Sequence, residues 1–142
     1  MTPESLRTVL RVAAVFTAFS GFAVAMPFAE GGLLWFTDLV FWPLDGAQTI
    51  SAPETRVFAA IFGGLTVSLG VFVFQIATHL LPASLDLARR LTVPSIIAWF
   101  LVDSTGSVLA GCPGNLVPNL VVLVSVVGPF MLVRSTPIAR PA

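Results

Sequence analysis

Four apolar segments, each close to the length that crosses a bilayer as a helix, constrain this chain more than anything else in it. They run over 6–28, 56–81, 87–110 and 115–133, and most charged residues gather between them or at their ends. A hydrocarbon core about 30 Å thick takes roughly 20 apolar residues at 1.5 Å of helical rise each. Lipid offers the backbone no hydrogen-bonding partner, so a spanning segment must satisfy its own peptide groups. The alternating pattern of a membrane barrel is absent, which leaves helices. The expected fold class is all-α, an integral membrane four-helix bundle forming a single transmembrane domain over 1–142.

Composition points the same way. Of 142 residues 56% are hydrophobic and 10% charged, against roughly 45–50% and 25% in soluble domains, and mean hydropathy is +0.97. The net charge of zero gives no reason to expect nucleic acid or an anionic surface as partner. The one cysteine, Cys112, has no internal disulfide partner, and the chain offers no ligand set for a metal. No cofactor is expected.

The segment ends carry start and stop signals. Thr2 and Pro3 suit the cap and first turn of the first helix, and Ser51 to Glu54 reads as a capping box for the second. Pro82 ends the second, Ser84 and Asp86 open the third, and Gly111 to Gly114 forms a tight turn that makes the third and fourth antiparallel neighbours. Arg7 and Arg11, Arg89 and Arg90, and Arg134 and Arg140 fall on one side of the membrane. The long first loop on the other side carries Glu30, Asp38, Asp45 and Glu54, with Arg56 at the mouth of the second helix. Both termini are therefore expected to be cytoplasmic. Arg7 and Arg11 before an apolar run also fit a secretory signal, but this run is long, so the segment is expected to remain as a span. The sequence Leu109-Ala-Gly-Cys112 matches a lipobox by accident, being internal.

Within that first loop, residues 32–43 form an apolar run too short to span, of the kind that lies at the interface or re-enters the bilayer. As a helix it places Trp35, Leu39 and Trp42 on one face, and Trp35 and Trp42 are expected to anchor at the headgroup level. The segment is also a candidate lid or a docking surface for another membrane subunit.

Small residues at four-residue spacing, Ala13, Thr17 and Gly21 on the first helix and Ala60, Gly64 and Ser68 on the second, predict a close crossing of the two. Phenylalanines on other faces, among them Phe16, Phe19, Phe58 and Phe72, read as lipid-facing or filler.

Asp103 is the residue that asks for an explanation. A charge at membrane depth costs about 2.5–3.5 kcal/mol on insertion scales, and Asp103 lies in the third segment about 10 Å from its end. Arg56 starts the second helix on the same side with a side chain long enough to reach inward. Ser104, Thr105 and Ser107 offer hydroxyls, and Asn115 and Asn119 offer amides on one face of the fourth helix. The expected constellation is a polar cluster of Asp103, Arg56, Ser107, Asn115 and Asn119. Three roles stand open: a structural tie between helices, a protonatable or ligand-binding site opening outward, or an Asp103 reached by water through an unwound turn at Gly106. His79, the only histidine, reads as an interfacial side chain.

There is no phosphate-binding glycine loop, no paired histidines, no CxxC and no serine with a histidine base, so no enzyme activity is expected. An arginine at the mouth of the second helix (Arg56), glycines within it (Gly63, Gly64 and Gly70) and an acid in the third (Asp103) give a pattern that resembles small four-span bacterial inner-membrane proteins of unknown function. The resemblance implies a bacterial inner-membrane location and supplies no activity. The first expectation is a non-catalytic structural or accessory component, a homo-oligomer or bound to other membrane subunits. The alternative is a small oligomeric transporter or proton-coupled carrier using Asp103.

Overall fold

The computed structural model describes residues 1–26, 30–42, 45–49 and 52–133, with the side chains of 30–33 and 35 outside that description. The described residues are helical in five stretches: α1 (Pro3–Ala25), α2 (Glu30–Phe41), α3 (Pro53–Gln75), α4 (Leu85–Leu109) and α5 (Leu116–Leu132). A π turn, Ile76–Leu80, extends α3, and a 3-10 turn, Pro113–Asn115, leads into α5. All but α2 are long and apolar enough to cross a membrane, so this is a multi-pass membrane protein with a helical bundle, as expected.

Local chemistry sets the helix ends. Thr2 caps α1, its hydroxyl accepting from Ser5 N at 3.1 Å, with Pro3 in the first turn. Ser84 caps α4 by accepting from Leu87 N at 3.2 Å. At α3 the capping position falls on Ala52, which has no side-chain acceptor, and the predicted capping box rests on Ser51, outside the described residues. Gly111 takes φ +79°, the left-handed conformation that turns the chain from α4 toward α5. Arg89 supplies the far end of α5: its Nη2 donates to the carbonyls of Phe130 at 2.6 Å and Val133 at 2.9 Å, where a helix leaves acceptors without partners and where a cation suits the helix dipole. The α-amino group of Met1 donates to Leu132 O at 3.2 Å in the same place.

The helices form a row, α3–α1–α5–α4, since α1 packs along α3 on one side and α5 on the other while α4 packs on α5, and the row curls so that the π turn ending α3 also meets α4. The α1–α3 crossing is a small-residue contact, but along a different seam from the predicted one. A Cβ on Gly63 would strike the Gly21 carbonyl and lie 2.7 Å from Ala25 Cβ, and one on Gly70 would lie 2.6 Å from Ala14 O and Ala18 N. Ala60, Gly64 and Ser68 instead face outward, with nothing within 4 Å of a Cβ built on Gly64. The reason is angular. Four residues turn a helix by 400°, so a strict four-residue stripe drifts by 40° per step, whereas the seven residues from Gly63 to Gly70 drift by only about 20°. On α1, Ala13, Thr17 and Gly21 are buried, and Ala14, Ala18, Gly21 and Ala25 carry the contact with α3.

The buried apolar core lies toward the end of the bundle where α1 starts and α5 stops. Leu6, Leu10, Ala77, Ala88, Ile96, Val126 and Phe130 meet there. At the other end α1 and α3 stay in contact at Gly21, Ala25 and Gly63, and α2, the turn at Pro113 and the polar residues are placed there.

Candidate functional site

Asp103 sits on α4 and is half-buried; Asn115 and Asn119, from the 3-10 turn and α5, are buried at 8% and 4% exposure. The tight turn at 110–114 folds α5 back along α4, so residues 12 and 16 positions apart in sequence face one another. Asn115 Nδ2 and Asn119 Nδ2 each donate to Asp103 Oδ1 at 2.7 Å. Asn115 Nδ2 also reaches Ser107 Oγ at 2.8 Å, and Asn119 Nδ2 reaches Ser104 Oγ at 3.2 Å. Ser107 Oγ approaches Asp103 Oδ1 at 3.4 Å, one helical turn on. A carboxylate oxygen only accepts, so these bonds fix the orientation of both amides: each NH2 faces Asp103 and each carbonyl turns away.

Four of the five residues predicted for the cluster thus come together: Asp103, Ser107, Asn115 and Asn119. Ser104 joins them; it belongs to the hydroxyl run the sequence singles out. Arg56 stands exposed on the first turn of α3, a helix packed on α1 and making little contact with α4. The donors that Asp103 receives come from α4, the turn into α5 and α5 itself, and they are neutral amides and a hydroxyl. α4 stays helical through Gly106, so no unwound turn leads to the carboxylate.

Above the cluster, α2 lies against the 3-10 turn. A Cβ on Gly114 would strike the Leu39 carbonyl and sit 2.6 Å from that of Val40, so α2 rests on the backbone that presents Asn115. The short apolar run of the first loop is therefore a helix docked on the bundle over the polar residues. Trp42 ends it, 65% exposed and with φ 31°, and the side chain of Trp35 lies outside the described residues. His79 is exposed on the π turn at the opposite end.

Next to the cluster, α1, α3 and α5 enclose a groove of about 460 Å³, closed at one end by Phe36 and Leu39 of α2. Phe36 stacks on Phe62 at 5.9 Å between ring centroids. The walls are apolar except at Asn115 and Asn119, which line the groove as well as hold Asp103, and at the hydroxyls Thr17, Ser20 and Thr66. Those hydroxyls donate to the carbonyl four residues earlier in their own helices. Nothing in the sequence marks the groove, because its lining is drawn from all five helices and the 3-10 turn and its residue types are those of any lipid-facing helix.

Among the described residues no group of three or more His, Cys, Asp or Glu is placed to hold a metal ion. No protein-family model matches the chain, and comparison with curated proteins and with solved structures finds no match.

Proposed function

We propose that this protein is a non-catalytic, structural or accessory component of a membrane assembly, and that it joins that assembly as a homo-oligomer through α3. The observation that carries the reading is the outward face of that helix. α3 is held in the row on one side, by α1, while Ala60, Gly64 and Ser68 form a second small-residue stripe on its exposed surface, with open space around Gly64. In lipid, apolar area alone gives helices no reason to associate, and close backbone approach at small residues is what brings them together. A chain that spends one such seam on its own α1 and presents a second has the surface for another helix. A two-fold pairing of the same stripe on two copies is the simplest closed arrangement.

The polar cluster supports a tie rather than a reaction. Its four bonds between α4 and the α5 limb, at about 0.6 kcal/mol each in a membrane bundle, supply roughly 2–3 kcal/mol. A bacterial inner membrane, with both termini cytoplasmic, is the location this reading takes, from the arginines at the start of α1 and of α4 and the family resemblance.

Gly64→Leu tests the assembly directly. In nanodiscs the wild type is expected to be oligomeric and Gly64→Leu monomeric with an unchanged melting temperature; a variant that assembles as the wild type does would sink the reading. One observation favours the carrier alternative: Asp103 Oδ2 receives no donor from the described residues, leaving half of the carboxylate available to an ion or proton. Proton-linked flux in proteoliposomes that disappears in Asp103→Asn would favour it, and equal flux in both would remove it.

A further inference from the structure

We infer that the groove beside the polar cluster is a binding site for a lipid-like amphiphile whose polar head carries a hydrogen-bond donor and no negative charge. The inference stands apart from the assembly reading, since none of the groove residues belongs to the outward stripe of α3.

Size selects the class of occupant. The α1 residues that line the groove run from Phe16 to Val24, about 12 Å of helix. The groove, about 460 Å³ in volume, is long enough over that stretch to take part of an extended hydrocarbon chain. The groove opens sideways between exposed Phe16, Phe19 and Val121, so a chain enters from the bilayer without crossing water.

Chemistry selects the head. The amide NH2 groups of Asn115 and Asn119 are committed to Asp103, which turns two carbonyl oxygens away from it, on residues more than nine-tenths buried that line the groove. Neither carbonyl accepts a hydrogen bond from the described residues. Acceptors that line an otherwise apolar groove call for donors. A hydroxyl or ammonium head supplies them; a fatty-acid carboxylate brings acceptors to acceptors beside an acidic side chain.

Trp99 lines the groove and reports on it. In a Trp35→Phe, Trp42→Phe background, Trp99 fluorescence in nanodiscs is titrated with a dibrominated monoacylglycerol and with a dibrominated fatty acid of the same chain. The expected result is saturable quenching by the glycerol ester, half-maximal at a concentration about tenfold below that of the fatty acid, and loss of saturation in Ala23→Phe, which fills the groove. Val121→Phe blocks the same groove from its exposed rim and serves if Ala23→Phe does not fold. Quenching that rises linearly with probe content and equally for both heads overturns the inference, because the groove then holds bulk acyl chains. Saturable quenching that survives both filling variants, or that favours the fatty acid, overturns it equally.

Discussion

At the residue scale, Asp103 is best understood as one half of a fixed pair of amide contacts, and its replacements separate shape from hydrogen bonding. Asp103→Leu leaves the amides of Asn115 and Asn119 without their main acceptor. At about 0.6 kcal/mol for each interhelical bond, with an upper range near 1.7, it should destabilise the bundle by about 1–3 kcal/mol in thermal or denaturant unfolding. Asp103→Asn keeps an acceptor oxygen of the same shape and should lose less than half as much; equal losses in the two variants would contradict the pairing. Arg89 makes a second residue-scale case. Its guanidinium satisfies two carbonyls at the end of α5, and hydrogen bonds from a charged donor are worth about 1.5–3 kcal/mol. Arg89→Gln should therefore fray the last turn of α5, seen as faster amide exchange at 130–133 with α4 unaffected. Sequence made Asp103 and its asparagines visible, since a carboxylate and two amides on facing ends of a tight turn have few other places to go. It did not indicate that Arg56 would start a helix in the outer layer of the row, because length of side chain says nothing about which helices are neighbours.

At the element scale, the spans could be read to within about three residues, the capping residues Thr2 and Ser84 included, because bilayer thickness and caps both act locally. The seam between α1 and α3 could not. Two stripes of small residues run along α3 one position apart, Ala60-Gly64-Ser68 and Gly63-Gly70, and which one meets α1 depends on the crossing geometry of the pair. Gly63→Val and Gly64→Leu should consequently part company: the first drives a side chain into the Gly21 carbonyl and should abolish folding or lower the melting temperature sharply, while the second leaves the monomer intact. The π turn at Ile76–Leu80 is also absent from any sequence signal. It sits where Arg11 Nε donates to Thr78 Oγ1 at 3.1 Å and the guanidinium lies 5.6 Å from the Phe74 ring centroid, so the widened turn accompanies an anchored arginine. α2 depends on Gly114 for its seat. Gly114→Val should lift it from the turn and expose 30–49 to protease added from that side, and unchanged cleavage would show that α2 is held elsewhere.

At the scale of the whole molecule, the row α3–α1–α5–α4 explains why one end is tight and the other carries polar and cavity features. Leu6, Leu10, Ala88 and Phe130 close the bundle at the end shared by the start of α1 and the stop of α5. Toward α2, hydrogen bonds through Asp103 tie α4 to α5 while α1 and α3 stay packed at Gly21, Ala25 and Gly63, and a groove lined by all five helices remains. α3 also keeps an outward flank, the face of Ala60, Gly64 and Ser68. That flank is the central claim, and it is tested most directly by counting subunits per nanodisc, by single-molecule photobleaching, for wild type and Gly64→Leu at equal protein-to-lipid ratio. The account predicts two or more copies for the wild type and one for Gly64→Leu, with the same melting temperature for both. A wild type that is monomeric, or a Gly64→Leu protein with the wild-type copy number, would contradict it.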